Sequence, residues 1–271
     1  MDSPPKDSFR AWHWTGDAYE PCTSLPLTDR GFRYGMSVFE SLRVTRGVPE
    51  FFEQHLSRLL QACAERDITV EEKALEAASK LFTGGDRHGF ARLYVTAGDG
   101  LPSTPSEKPR ILAFIEERTP PDPEDPWEIT FHDETYAPAF GGMKTGNYWF
   151  NCDALAQARR KKFDETLLFN ERAELVSASM ANVFILRDER LCTPPRGSGA
   201  RTGVIREWVI KRRKVEERRL RREDVINADE IFLTNSWIGV MPVATVEGRP
   251  LGRRWVGPKL AAELANRRDS L

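Results

Sequence analysis

The sequence predicts an α+β protein of two domains, and three observations support this prediction. Its 271 residues suffice for two domains of ordinary size. Residues 117–128, ERTPPDPEDPWE, place four prolines within seven residues and so exclude helix interior and central strand. Segments with strand-like alternation and with helical periodicity lie on both sides of this stretch. The prediction is a smaller N-terminal α/β domain over 1–117, a proline-rich linker over 118–126 and a larger C-terminal domain over 127–271.

The N-terminal domain is predicted to contain four strands and two helices. Apolar residues at helical spacing, such as Leu56, Leu59 and Cys63, predict the first helix, and Gly84 ends the second. In chain order the expected elements are a strand pair over 37–52, helices over 52–68 and 71–82, and strands over 90–98 and 110–117. The segment DGLPSTPSEKP, residues 99–109, is polar and contains prolines, so this loop is predicted to be mobile.

The C-terminal domain is predicted to mix helices and strands in the same way. Apolar spacing indicates its helices, and short apolar runs between turn residues indicate its strands. In chain order the expected elements are a helix over 148–164, a strand over 165–170, a hairpin over 175–194 that turns at RDER, a helix over 202–214, strands over 230–235 and 239–246, and a helix over 257–268.

Composition excludes several classes of function. The formal net charge is −1, so no overall field attracts nucleic acid or a membrane surface. No apolar run reaches the ~20 residues that span a bilayer, and the start, MDSPPKDSFR, lacks the apolar core of a signal peptide. Four scattered cysteines and four scattered histidines show no metal-ligand spacing. We expect a cytoplasmic protein without a metal site.

The densest charged segment is KRRKVEERRLRRED, residues 211–224. It is either a nucleic-acid patch or a solvated helix. Glu216, Glu217 and Glu223 interrupt the basic residues, and interleaved opposite charges pair locally and cancel their field. The segment also lacks aromatic residues on which bases stack. The solvated helix is the favoured interpretation, and no nucleic-acid partner is expected.

Two segments of the C-terminal domain have the chemistry of phosphate binding. TPPRGSGARTGVIR, residues 193–206, places glycines before a predicted helix, whose first N–H groups have no intrahelical acceptor. LTNSWIG, residues 233–239, adds hydroxyl and amide side chains after a predicted strand. A plain glycine-rich connection is the favoured interpretation of the first segment by itself, because the conformational freedom of glycine explains it. The second segment strengthens the phosphate interpretation.

Lys144 stands in GGMKTGNYWFN, residues 141–151, among glycines and aromatic residues rather than in a charged run. A nucleophilic lysine has to be neutral when it attacks and therefore needs a partly desolvated, sparsely charged setting. Most lysines only decorate a surface. From spacing alone, a catalytic role for Lys144 and an ordinary surface role both stay open.

Six segments in one order resemble a known family. They are LTDRGFRYGMSVFESLRV, FEQHLSRL, KTGNYW, DETLLFNERAELVSASMANVF, TGVIR and ADEIFLTNSWIGVMPV. Together they are similar to the class IV, fold-type IV pyridoxal-phosphate enzymes, which include branched-chain and D-amino-acid aminotransferases and aminodeoxychorismate lyases. The resemblance runs from about Trp12 to the end of the chain. It implies the two-domain fold of that family, a pyridoxal 5'-phosphate cofactor and a homodimer.

The resemblance also implies residues that hold the cofactor. Lys144 matches the family lysine that forms the internal aldimine and then moves the proton at the substrate's α-carbon. Arg58 matches the arginine that binds the cofactor phosphate. The other implied phosphate ligands are the helix start at Val204 and Ile205, and Ser236.

A second group of implied residues surrounds the ring and the substrate. Tyr148 resembles the tyrosine near the cofactor's phenolic oxygen. Arg92 resembles the arginine that binds a substrate carboxylate, and Tyr34 and Phe39 resemble residues of the pocket wall. The substrate implied is an amino acid or a related small carboxylate, and loop contacts such as those of residues 98–109 would select it.

The chain departs from the family pattern at two positions. Ser177 stands five residues before Asn182, where most members carry a glutamate that keeps the pyridine nitrogen protonated. A hydroxyl brings no charge and favours the pyridinium much less. Glu174 would replace that glutamate only in a different strand register. Ile205 stands where many members have a threonine, which removes one hydroxyl from the phosphate site.

Three functions follow from these observations. The leading hypothesis is a class IV aminotransferase that works through Lys144. The first alternative is an enzyme like aminodeoxychorismate lyase, which eliminates pyruvate, because Ser177 weakens the electron withdrawal on which transamination depends. The second alternative is a non-catalytic relative that binds pyridoxal phosphate, for which Ser177 is again the reason.

Overall fold

The computed structural model describes residues 9–252 and 254–269, and the contacts among its Cα atoms divide the chain into two compact units. The first unit contains the chain up to Thr119 together with Lys144–Asn147, and the second contains the other described residues. Each unit has a sheet and helices, which confirms the predicted α+β class. The lysine segment, assigned above to the C-terminal domain, makes its contacts with the first unit. The predicted domain boundaries stay a prediction.

The first unit is built on one six-stranded antiparallel sheet. Its strands are β1 (Phe9–Trp14), β2 (Tyr19–Pro21), β3 (Ser37–Thr45), β4 (Val48–Pro49), β5 (Gly89–Thr96) and β6 (Arg110–Glu117), and its helices are α1 (Arg30–Tyr34), α2 (Phe52–Glu65), α3 (Glu72–Ala77) and α4 (Ser79–Phe82). The strand order is β2-β1-β6-β5-β3-β4. Every second residue of β5 and β6 is buried, and α2 packs against β3.

Sequence periodicity predicted this unit in part. The helix expected over 52–68 and the strands that became β3, β5 and β6 are confirmed. The single helix expected over 71–82 is two short helices, and the Ser79 hydroxyl donates to the Glu76 carbonyl (2.7 Å) where they meet. The sequence analysis missed β1, β2 and α1.

The second unit is built on a nine-stranded mixed sheet. Its elements in chain order are β7 (Trp127–Phe131), α5 (Trp149–Arg160), β8 (Glu165–Phe169), β9 (Leu175–Ala178), β10 (Asn182–Arg187), β11 (Arg190–Thr193), α6 (Val204–Ile210), β12 (Val215–Glu217), α7 (Arg222–Ile226), β13 (Glu230–Asn235), β14 (Gly239–Val246), β15 (Arg249–Pro250) and α8 (Val256–Asp269). Eight strands follow the order β12-β11-β10-β13-β14-β7-β8-β9, and β15 pairs with β14. The hairpin predicted at RDER is confirmed as β10 and β11.

The helix predicted over 202–214 ends at Ile210, and the solvated helix expected over 211–224 is wrong. Within that run, Val215–Glu217 pairs in parallel with β11, and Arg222–Ile226 forms α7. Its charges pair over long distances, as when Arg213 binds Glu263 (2.5 Å), rather than along one helical face. The spacing of charges along the sequence does not show where an unpaired strand edge lies. Here β11 has such an edge, and Val215–Glu217 pairs with it as a strand.

Within the described ranges, no helix combines the length and the apolar character that crossing a membrane requires. The longest helix of the second unit, α8, lies against β13 and β14. Its first turn is held by Glu230, a fully buried carboxylate of β13 that accepts hydrogen bonds from the backbone N–H groups of Trp255 (3.0 Å), Val256 (3.0 Å) and Gly257 (2.6 Å). A negative charge there satisfies the free amides and complements the helix dipole.

We therefore expect Glu230→Ala to lower the free energy of unfolding by about 1–3 kcal/mol, because three buried amides lose their acceptor. Urea unfolding followed by circular dichroism measures this change. Glu134→Ala, at an exposed position, is the control and should change the value by less than about 0.5 kcal/mol. Equal effects of the two substitutions would contradict this account of the start of α8.

Candidate functional site

The segment that carries Lys144 lies antiparallel to the start of β3. The Phe39 N–H donates to the Lys144 carbonyl (3.0 Å), and the Gly146 N–H donates to the Ser37 carbonyl (3.0 Å). A Cβ at Gly146 would lie 2.4 Å from the Ser37 hydroxyl oxygen, so any larger residue there would displace the Ser37 side chain. The glycine beside the lysine therefore serves the docking of this segment onto β3.

The ring of Phe39 gathers two of the other predicted residues. The half-buried Lys144 has its Nζ 4.2 Å from the ring centroid, and the Arg92 Cζ lies 5.4 Å from the same centroid. Tyr94 stacks on Phe39 at 4.6 Å. A cation over an aromatic face keeps an attraction while it loses part of its hydration. Lys144, Phe39 and Arg92, proposed separately from the sequence, thus meet at one ring.

Arg92 is a guanidinium set among aromatic rings. Besides Phe39 it lies over Phe90 (4.8 Å) and Phe114 (5.8 Å), and its Nη1 approaches the Tyr94 hydroxyl (3.4 Å). In the part of the chain that the structure describes, no carboxylate pairs with it, and its buried Nε lacks a hydrogen-bond partner. A guanidinium in this state suits an anionic ligand.

Arg58, the predicted phosphate ligand, is held by a carboxylate. The Glu40 side chain is 2% exposed and accepts hydrogen bonds from the Arg58 Nε (2.7 Å), the Arg58 Nη2 and the His55 Nδ1 (2.7 Å). This bidentate pairing fixes the plane of the guanidinium. Since Phe39 and Glu40 are consecutive in β3, their side chains point to opposite faces of the sheet.

Charge shifts the protonation equilibria in this cluster. Burial by itself raises the pKa of the Glu40 carboxyl, but the Arg58 charge and the hydrogen bonds from Arg58 and His55 hold that pKa well below its ordinary range. Burial is the largest cause that lowers the pKa of His55, and the charges of Arg58 and Lys144 lower it further against the effect of Glu40. His55 is therefore a neutral donor to an ionised Glu40.

Tyr34 lies apart from this cluster. It is the last residue of α1, is 42% exposed, and has the Arg33 guanidinium 4.9 Å from its ring. That cation is the only ring contact of Tyr34 within residues 9–252 and 254–269. The structure does not bring Tyr34 to Phe39, and its place in a pocket wall stays a prediction.

In the second unit, Tyr148 pairs with an arginine that the sequence analysis missed. The Arg201 Nη1 donates to the Tyr148 hydroxyl, its Nε donates to the Gly142 carbonyl (2.6 Å), and its Cζ lies 5.3 Å from the Tyr148 ring. The Asn182 amide holds the Arg201 carbonyl (2.7 Å). The Tyr148 hydroxyl, which the resemblance implies to lie near the cofactor's phenolic oxygen, is therefore next to the positive charge of Arg201.

The predicted phosphate ligands of this unit lie in two turns. Val204 and Ile205 are the buried first residues of α6, where backbone N–H groups have no acceptor within the helix. Ser236 is half-buried in the turn after β13. The Asn235 side-chain oxygen shapes that turn by accepting from the N–H groups of Trp237 (2.8 Å) and Ile238 (2.8 Å).

Ser177 and Glu174 differ sharply in their surroundings. The half-buried Ser177 lies on β9 and makes no side-chain hydrogen bond within the described ranges. The buried Glu174 accepts from Arg172 (3.1 Å), Asn170 (3.1 Å) and Ser198 (2.9 Å) and pairs with Arg219 (3.3 Å). The Arg172 hydrogen bond is the largest cause that lowers the pKa of Glu174 to about 2. Glu174 is committed to this network and does not substitute for a carboxylate at position 177.

Glu40, His55 and Arg201 escaped the sequence analysis. Val38, Glu40 and Leu42 occupy every second position of β3 and therefore share one face. A carboxylate between two apolar residues of one face was a usable signal for a buried acid. His55 and Arg58 stand three residues apart and therefore share one face of α2. For Arg201, inside a glycine loop, the sequence contains no comparable signal.

The chain is similar to known proteins over most of its length. A family model described as Amino-transferase class IV matches residues 37–246. A putative branched-chain-amino-acid aminotransferase of Methanocaldococcus jannaschii is 29% identical over 253 residues, which cover 88% of each chain. The aminodeoxychorismate lyase of Bacillus subtilis is 28% identical over 236 residues, 81% of this chain and 80% of the lyase.

The fold also has relatives among solved structures. The structure of an aminotransferase from Brucella abortus bound to the cofactor PLP superposes with a TM-score of 0.84 at 22% identity. The match covers 96% of this chain and 99% of the Brucella chain. At this identity the likeness concerns the fold, and it confirms the predicted fold class.

The Glu40 cluster predicts a loss of stability in acid. The folded state lowers the pKa of His55 below its ordinary 6.5 and that of Glu40 below its ordinary 4.5, so the unfolded chain binds these protons more tightly. Stability should therefore fall as pH drops below 6.5 and fall further below 4.5. Urea midpoints measured from pH 7.5 to 3.5 should show His55→Asn with a flatter slope in the upper window.

The exposed His88 supplies the control for this measurement. His88→Asn should keep the wild-type slope, because its ring is not buried beside a carboxylate-bound arginine. An unchanged slope in His55→Asn would show that this histidine does not carry the upper part of the acid loss.

Proposed function

The chain belongs to the amino-transferase class IV family, and we propose that it is a pyridoxal-phosphate-dependent aminotransferase that acts on an amino acid or a related small carboxylate. The observation that carries the proposal is the meeting of Lys144 and Arg92 at the Phe39 ring. An amine and a carboxylate receptor around one aromatic surface match the two functional groups of an amino acid.

Lys144 is the proposed catalytic residue. Its Nζ would hold the cofactor covalently, and as a free amine it would move the proton at the substrate's α-carbon. The contact with the Phe39 ring fixes the position of this nitrogen, which lies 4.2 Å from the ring centroid. When bound, pyridoxal phosphate supplies the electron sink for the charge left on that carbon.

Arg92 is proposed to bind the substrate carboxylate. Its ring surroundings orient the guanidinium without neutralising it, since its contacts in the described part of the chain are aromatic rings and a phenol. A planar donor pair then fits the two oxygens of a carboxylate. Phe39 and Tyr34 are proposed as walls beside the substrate.

The chain offers donors for each end of the cofactor. Arg58, the amides of Val204 and Ile205, and the Ser236 hydroxyl are proposed for the phosphate, and guanidinium and helix-start amides both suit a dianion. Tyr148 is proposed for the phenolic oxygen and Ser177 for the ring nitrogen. The Brucella aminotransferase binds the same cofactor, which supports this assignment.

Elimination of pyruvate, as in an aminodeoxychorismate lyase, is the second candidate. The observation that favours it is the commitment of Glu174 to Arg172 and Arg219, which leaves the uncharged Ser177 at the ring-nitrogen position. The Bacillus relative supports it as well. Incubation with aminodeoxychorismate alone separates the two, because elimination releases pyruvate in every turnover, whereas transfer stops after one equivalent of amino group has been taken up per site.

A non-catalytic, cofactor-binding protein is the third candidate, and Lys144→Ala tests it in the cell. Full cellular function of that variant would favour a binding role.

We also propose a cytoplasmic homodimer. Exposed apolar side chains such as Phe32 and Leu101 in the first unit and Trp149 in the second support the dimer. Light scattering should then give the mass of two chains.

The first prediction of this proposal concerns Lys144. Borohydride reduction after addition of pyridoxal phosphate should leave the cofactor on the peptide that contains Lys144, as peptide mass mapping will show. Lys144→Ala should abolish this adduct and reduce turnover by at least roughly 10²–10⁴-fold, the range of a lost acid–base group. The control Lys161→Ala removes an exposed lysine and should leave both unchanged. An adduct spread over surface lysines would refute the assignment.

The second prediction concerns Arg92. Arg92→Gln should raise KM for an amino-acid substrate by about 10- to 100-fold, because a charged hydrogen bond is lost. Cofactor trapping at Lys144 should persist. Arg118→Gln, an arginine near the Phe90 ring but half exposed, is the matched control. An unchanged KM in Arg92→Gln would contradict the carboxylate role.

A further inference from the structure

Among the residues that the structure describes, two arginine side chains are fully buried, and their partners differ in kind. Arg206 pairs with the carboxylates of Glu207 (2.7 Å) and Glu217 (2.6 Å). Arg30 is 1% exposed and, within residues 9–252 and 254–269, bonds to no carboxylate. The charge of Arg30 also acts on Asp99, but a buried cation that no carboxylate touches has to be compensated largely by oriented dipoles.

All the dipoles that compensate Arg30 belong to one loop, residues 97–105. Its Nε donates to the Gly98 carbonyl (3.2 Å), its Nη2 to those of Ala97 and Pro105 (3.4 Å for the latter), and its Nη1 to those of Leu101 (3.2 Å) and Thr104 (2.7 Å). A guanidinium has five N–H donors in a fixed plane. The loop is therefore wrapped around that plane, and its shape depends on it.

Asp29, next in the chain, fixes the two ends of the loop. This buried carboxylate accepts from the Thr96 hydroxyl (2.7 Å) at the end of β5 and from the Arg110 Nη1 (2.8 Å) at the start of β6. It also caps α1 through the N–H groups of Gly31 (2.7 Å) and Phe32 (3.3 Å). Helix α1 and the loop are thus fastened to each other by two consecutive side chains.

This fastened pair adjoins the strands of the candidate site. The loop continues directly from β5, which carries Arg92, and α1 ends at Tyr34 just before β3. At Gly35 the backbone φ is +67°, and a Cβ there would lie 2.1 Å from the side-chain oxygen of Asn147, in the lysine segment. Displacement of α1 or of the loop would therefore be transmitted to both neighbouring strands.

We propose that Arg30 is a positioning residue for substrate specificity. It makes α1 and the loop 97–105 a single preformed wall whose shape selects the side chain of the amino-acid substrate. This inference rests on the proposed function, because it assumes an amino acid bound at Arg92. Arg30 itself is too deeply buried to touch a ligand.

Hydrogen exchange and kinetics together test the proposal on the full chain with added pyridoxal phosphate. In Arg30→Lys, the backbone amides of residues 98–105 and 31–34 should exchange about tenfold faster, because one ammonium cannot reach five acceptors. The ratio of kcat/KM for leucine to that for alanine should move toward one by about tenfold. Cofactor trapping at Lys144 should be unchanged.

Two further variants keep the test decisive. Asp99→Asn is the substitute if Arg30→Lys does not fold. Asp99 is exposed and accepts hydrogen bonds from Arg110 (2.5 Å) and Thr28 (2.7 Å). Its replacement should shift exchange and selectivity in the same direction. Arg206→Lys perturbs the other buried arginine and should leave the loop and the ratio as in the wild type.

Wild-type exchange in the loop of Arg30→Lys would overturn the proposal. Faster exchange with an unchanged selectivity ratio would overturn the specificity role and leave Arg30 as a structural tie. Absence of any cofactor adduct at Lys144 in the wild type would instead refute the proposed function, and the exchange data would still show whether Arg30 holds the loop.

Discussion

The antiparallel contact between residues 144–147 and the start of β3 is the constraint on which the candidate site depends. Two backbone hydrogen bonds hold it, and any residue larger than Gly146 would displace the Ser37 side chain. Through this contact a lysine distant in sequence reaches the ring of Phe39. Once the segment is docked, the identities of the residues along β3 determine what surrounds the lysine.

The alternation of β3 divides that environment into two parts. One face presents Phe39 toward Lys144 and Arg92, and the other presents Glu40 toward His55 and Arg58. Adjacent positions of a strand cannot share a face, so Arg58 and Arg92 are held by different neighbours. Glu40 binds Arg58 through an ion pair, whereas Arg92 packs against aromatic rings that do not neutralise its charge.

The uncharged Ser177 has a structural context that sequence alone does not supply. Glu174 lies three positions away, but two arginines, Asn170 and Ser198 already occupy its oxygens. Moving it would leave the buried Asn170 and Ser198 donors without their acceptor, which costs more than one hydrogen bond returns. A positive charge does lie beside Tyr148, because the Arg201 guanidinium donates a hydrogen bond to its hydroxyl.

The sequence by itself determined the α+β class and the helix that became α2, because periodicity is a local property of a chain. Through an ordered set of motifs it also led to the proposal of Lys144, Arg58 and Arg92 as site residues. Only the tertiary structure decided that the charged run after α6 is a strand and a short helix and that Arg30 organises the loop 97–105. Its carbonyl partners lie about seventy positions away, and no local pattern encodes a contact between groups that meet only when the sheet closes.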